Sequence, residues 1–137
     1  MPQLTGVLET SLYVEDLERS IRFYLEVMQF QKLVGDERFC ALQAAERQVL
    51  LLFRKGASTQ PMLIAGGTIP SHDGGGQLHL AFAISAQELE LWEQWLEEHQ
   101  VVVESKVRWE RGGQSIYFRD PDGHLLELVT PGCWAIY

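Results

Sequence analysis

The sequence predicts an α+β fold built from two βαβββ modules. In each half of the chain, short β-rich segments flank one amphipathic helical segment. The order strand, helix, three strands occurs twice, separated by a stretch rich in Gly, Pro, Ser and Thr. The strand-to-helix register is also shared, since setting Val14 against Ile84 sets Glu9 against His79. Identity between the halves is low, so the repeat rests on element order and register.

VLETSLYV, residues 7 to 14, alternates as a half-buried strand does, with Glu9, Ser11 and Tyr13 on one face. DLERSIRFYLEVM follows as a helix, with Asp16 as its cap and Leu17, Ile21, Tyr24, Leu25 and Met28 along one stripe. Apolar segments near 30–34, 38–44 and 48–54 read as three strands and complete a first module of about 5–55. Residues of about 56–75 form a connector or active-site loop. QLHLAFAIS opens the second module, about 76–131. AQELELWEQWLEEHQ is its helix, with Leu89, Trp92 and Leu96 inward, and VVVESKVRW, SIYFR and HLLELVT are its last strands. Residues 132–137 form a tail whose Trp134 and Tyr137 are expected to cover a cleft or a partner subunit.

The 137 residues suit one domain, and their formal charge of −8 argues against a nucleic-acid partner while favouring cationic ligands. No apolar run approaches the roughly 18 residues that cross a bilayer, and the N-terminus lacks a signal-like basic region, so a soluble cytoplasmic protein without membrane contact is expected. Cys40 and Cys133 read as reduced thiols, not as a disulfide framework.

Within DGHLLELVT, Glu127 lies amid apolar residues, where a carboxylate loses hydration and must be compensated. Arg54 or Arg119 would compensate it as an ion pair. A divalent ion would do the same, with His79 as a neutral ligand and Glu9 as a second carboxylate. Singly, His79 also fits an ordinary hydrogen-bonded strand histidine, and Glu9 a solvated strand end. Asp120-Pro121-Asp122-Gly123 reads as a turn, with His124 facing solvent after it.

The segments LETSLYVEDLERSIRFYLEVMQF, QLHLAFAI and SIYFRDPDGHLLELVTPG resemble the vicinal oxygen chelate superfamily, the glyoxalase, bleomycin-resistance, fosfomycin-resistance and extradiol dioxygenase group. Gln29 stands where that pattern usually has Gly. The resemblance covers nearly the whole chain and implies curved mixed sheets around a cleft, within one chain or across a homodimer. It also implies one divalent metal ion per chain, held by Glu9, His79 and Glu127, although His is the common residue at position 9. The fourth carboxylate of glyoxalase I members falls near Leu51, so that activity is not expected.

One His and two carboxylates cancel a +2 ion and favour Mn, Fe or Mg, with Zn or Ni also able to bind. The resulting expectation is a metal-dependent enzyme, a dioxygenase or a lyase or isomerase, acting on a small oxygen-bearing organic substrate. Tyr117 and Glu127 would be its catalytic groups, and Ser11, Arg54 and Tyr117 would touch substrate. Arg54 and His72 are candidates for an anionic group, while the cations that fosfomycin-modifying members use for phosphonate have no clear counterparts. A metal-free protein that sequesters a cationic drug is the alternative, and the acidic charge fits it.

Overall fold

A computed structural model describes residues 1–137. The chain divides into two compact units, Met1–Gly75 and Gly76–Tyr137. In the first, β1 (Glu9–Val14) leads into α1 (Leu17–Glu26), and β2 (Gln31–Gly35), β3 (Phe39–Ala45) and β4 (Gln48–Arg54) follow. The sheet order is β1-β4-β3-β2, with β1 parallel to β4 and the other neighbours antiparallel. The mixed sheet follows from chain path: α1 carries the chain to the far edge, and the meander returns β4 beside β1.

Alternation along the strands divides this sheet into two faces. Leu12, Val14, Cys40, Leu42, Leu50 and Leu52 are buried on the face that α1 covers with Leu17 and Tyr24. Glu9, Ser11 and Tyr13 take the opposite face. Asp16 Oδ1 accepts the Arg19 N–H at 3.0 Å, the expected N-cap.

The second unit repeats the plan with β7 (His79–Ala83), a 3-10 turn at Ala86–Glu88, α2 (Leu89–Glu98), β8 (Ser105–Arg108), β9 (Gln114–Arg119) and β10 (Leu125–Val129). Its sheet order is β7-β10-β9-β8, again with the first strand parallel to the last. Leu96, Ile116, Phe118, Leu126 and Leu128 form its core. The registers of the two units correspond: Glu9 pairs with Val49 and Ser11 with Leu51, as His79 pairs with Leu125 and Ala81 with Glu127. Leu51 is therefore the counterpart of Glu127. No helix is long and apolar enough to cross a membrane.

Several local expectations change. The connector is not all loop, because β5 (Met62–Ile64) and β6 (Gly67–Ile69) form an antiparallel hairpin between β4 and β7. In VVVESKVRW the strand is confined to Ser105–Arg108, preceded by a Glu104 N–H bond to Tyr117 O at 2.7 Å, while the Val101 N–H closes α2 on Leu96 O at 2.8 Å. His124 does not face solvent. It is 1% exposed, and its Nδ1 accepts the Leu78 N–H at 2.9 Å, a donor just ahead of β7 that has no ladder partner there. Asp120-Pro121-Asp122-Gly123 does turn, with the Gly123 N–H donating to Asp120 O at 3.0 Å. Tyr137 closes the second unit on itself, its hydroxyl lying 3.0 Å from Ile84 O and 3.1 Å from Val129 O, while Trp134 is 70% exposed.

Gln29 and Gln100 stand three and two residues past the ends of their helices and share φ = 59°. The Phe30 N–H reaches back to Tyr24 O at 3.0 Å, as the Val101 N–H does to Leu96 O. Such left-handed helix ends favour Gly, because a Cβ crowds the following carbonyl. The Gly that the resembled pattern has at position 29 thus has a backbone reason, and Gln is strained there. Gln29→Gly and Gln100→Gly should each stabilise the protein by about 1 kcal/mol, read as a higher urea midpoint at unchanged m-value.

Candidate metal centre

Glu127 occupies the middle of β10, which lies between β7 and β9, and its side chain is 8% exposed. Its own strand supplies the anchor, since Leu126 and Leu128 point the other way into the core. Neither arginine answers its charge. Arg119 Nε and Nη2 hold Glu104 at 2.8 and 3.2 Å, and Arg54 lies exposed at the end of β4 in the first unit. Instead, Ser115 Oγ donates to Glu127 Oε1 at 2.5 Å and accepts the Trp109 Nε1–H at 2.8 Å. Indole, hydroxyl and carboxylate form a directed chain that fixes the orientation of the carboxylate.

The other carboxylate oxygen meets a histidine. His79 Nε2 lies 3.2 Å from Glu127 Oε2, with the imidazole about half exposed. His79 Nδ1 lies 2.9 Å from Leu125 O. A carbonyl only accepts, so Nδ1 carries a hydrogen and Nε2 is the ring atom turned towards the carboxylate. Two lone pairs facing at that distance repel unless a cation or a proton lies between them.

The donor set fits a divalent ion. A histidine that gives its far N–H to a carbonyl, and a carboxylate held by a hydroxyl, are the supports that metal ligands commonly have. Atoms 3.2 Å apart can share an ion at bonds of about 2.1 Å. The chain contains no group of three His, Cys, Asp or Glu side chains that could hold a metal. The structure thus joins His79 and Glu127 as a pair. Glu9 lies on β1 of the first unit, exposed, with no side-chain hydrogen bond or ion pair.

Tyr117 pairs with Glu127 across β9 and β10, and its ring centroid is 6.3 Å from that of His79. Burial, and then the Glu127 carboxylate beside it, push the phenol pKa above its ordinary value and keep the hydroxyl protonated. Burial and the same carboxylate raise the Cys133 thiol. In the first unit, Ser11 lines a cavity together with Glu9, Tyr13 and His72. His72 Nδ1 meets Tyr13 Oη at 2.7 Å. Sequence reasoning missed Ser115, Trp109 and Cys133. Alternation in QSIYFR already placed Ser115 on the Tyr117 face, a usable signal, whereas Trp109 and Cys133 arrive from turns.

With the site's geometry defined, the family follows. The chain belongs to the Glyoxalase/Bleomycin resistance protein/Dioxygenase superfamily, whose pattern matches residues 6–128. It is similar to the metallothiol transferase FosB of Staphylococcus epidermidis, at 31% identity over 129 residues, covering 93% of this chain and 83% of that protein. FosB of Bacillus licheniformis is 32% identical over 129 residues, covering 93% and 77%. Among solved structures, a lactoylglutathione lyase from Agrobacterium tumefaciens superposes with a TM-score of 0.87 at 29% identity, covering 98% of this chain and 99% of that one.

Removing the Ser115 hydroxyl leaves Glu127 Oε1 and the Trp109 N–H without partners. Ser115→Ala should cost about 1–3 kcal/mol in chemical denaturation, more than an average surface change. Burial, and then the charge of Asp73, raise the Tyr13 pKa above 10.0. The stability this neutral phenol contributes is complete below the ordinary phenol pKa of about 10 and is lost as pH rises through the folded value. Tyr13→Phe should therefore flatten the alkaline limb of a stability–pH curve.

Proposed function

We propose that the protein is a metal-dependent enzyme that transfers a thiol to a small oxygen-bearing organic substrate. The single observation that carries this is the convergence of His79 Nε2 and Glu127 Oε2 at 3.2 Å, with Nδ1 already given to Leu125 O. The FosB relatives, named metallothiol transferases, support the reaction class. Leu51 at the counterpart of Glu127 weighs against the four-ligand chemistry of glyoxalase I.

Glu9 is the third donor in this proposal. The proposed functional unit is a homodimer in which the Glu9 that completes each site comes from a second copy. Bound there, a divalent ion of the Mn, Fe or Mg type would polarise a substrate oxygen. The thiol sulfur would attack the carbon bearing that oxygen as its S–H proton is released, the C–O bond breaks, and the oxygen takes up one proton, so that the released proton restores the donor. Tyr117, whose raised pKa keeps its hydroxyl protonated beside Glu127, is the proposed proton donor. Ser11 lies on the Glu9 face of β1 and would meet the substrate from the other side.

A second arrangement follows from the same pair: a protonated His79 would ion-pair with Glu127, and a cationic ligand would meet Glu9 in a metal-free binding protein. Metal content separates the two. Protein purified without chelator should carry about one ion per site, and His79→Ala or Glu127→Gln should weaken binding at least tenfold. Mixing Glu9→Gln with Glu127→Gln subunits should restore roughly one tight site per heterodimer, since one site then collects every native donor. No ion in the parent protein after incubation with Mn²⁺, Fe²⁺ or Mg²⁺ would leave the metal-free arrangement.

A further inference from the structure

The first unit contains a cavity of about 620 Å³ on the sheet face opposite α1. The strand registers arrange its floor in rows. Glu9 lies at one end, beside Val49 and Gln43; Ser11, Leu51 and Ala41 come next; Tyr13, Phe53 and Phe39 form the far row. That last row is a continuous aromatic surface, with Tyr13 stacked on Phe53 at 6.0 Å between centroids and Phe39 on Phe53 at 5.7 Å. The His72 ring stands edge-on to Phe53 at 4.5 Å. Met62 and Ile69 of the β5–β6 hairpin also line the cavity.

Arg38 is the one cation in the lining, and its charge is already answered: Nη2 lies 3.3 Å from Asp36 Oδ2 and 2.9 Å from Met62 Sδ, while the guanidinium sits 5.7 Å from the Phe39 centroid. A phosphonate or other dianion would find no unpaired cation there. The volume lies in the range of pockets for ligands much larger than a few atoms.

We propose that this cavity sets substrate specificity by binding a flat, apolar, ring-bearing group that carries no negative charge. The ring lies on the Tyr13–Phe53–Phe39 row. Placing the reacting oxygen towards Glu9 rests on the proposed metal-dependent function, whereas binding of the ring does not. The reacting end and the recognised end then sit two rows apart on one sheet, or roughly 13 Å along β1 at about 3.3 Å per residue.

Three probes test this by ligand-observed NMR titration of the full chain, with Mg²⁺ and after chelator: 3-phenylpropan-1-ol, propan-1-ol and methylphosphonate. The aryl alcohol should bind saturably in both conditions, and the other two at least tenfold more weakly. Phe53→Leu, which keeps bulk and removes the ring, should weaken the aryl alcohol severalfold. Equal binding of propan-1-ol, preference for methylphosphonate, or indifference to Phe53→Leu would overturn the proposal. Aryl binding in a protein that takes up no ion would defeat the metal reading alone, and ion uptake without aryl binding would defeat this one alone.

Discussion

A carboxylate held in the central strand of a small sheet dictates much of the second unit. Transferring a charged group out of water is among the costliest events in folding, and Glu127 is placed where water scarcely reaches. The cost is met from both sides. Ser115, itself bridled by Trp109, takes one oxygen, and His79 is aimed at the other because a carbonyl of β10 claims its far nitrogen. Every partner comes from β7, β9, β10 or the turn ahead of β9, so the pairing of those strands and the satisfaction of the charge are one problem. The proposed metal binding depends on this orientation, since a freely rotating carboxylate would not present one oxygen at a fixed distance from an imidazole.

The repeat shows how one scaffold serves two purposes. Both units run first and last strands in parallel with matching registers, yet position 51 is leucine where position 127 is glutamate. Without a buried acid to satisfy, the first unit lines the same face with apolar and aromatic side chains, and the β5–β6 hairpin contributes to the cavity over it. The second unit spends that face on donors.

The hydrophobic periods made most of this architecture readable, because alternation and helical spacing are imposed by burial itself. Asp16 as cap, the helical stripe with Leu17 and Tyr24, and the family assignment all came from residues whose local chemistry has one dominant outcome. The misreadings share a different cause. The β5–β6 hairpin has three-residue strands, too short for a periodic signal. His124 is polar and follows a turn, which suggests solvent, but an orphan N–H from a distant residue, Leu78, draws its ring inward. The Trp109–Ser115–Glu127 chain depends on which turn residue folds over which strand, and no local pattern encodes that. Pairing of His79 with Glu127 was anticipated as part of a triad with Glu9, and the second unit brings the two together.

Glu9 and Glu127 differ in mutability as well as in place. β1 is an edge strand, so residue 9 has a ladder neighbour on one side only and its side chain is unconstrained, whereas residue 127 is locked among neighbours on both flanks. Exchanging histidine and glutamate at position 9 disturbs little folding energy; the same exchange at 127 would strand Ser115 and Trp109. In the proposed site, variation in donor chemistry would therefore fall at the edge, where a change of residue does not require the sheet to be rebuilt.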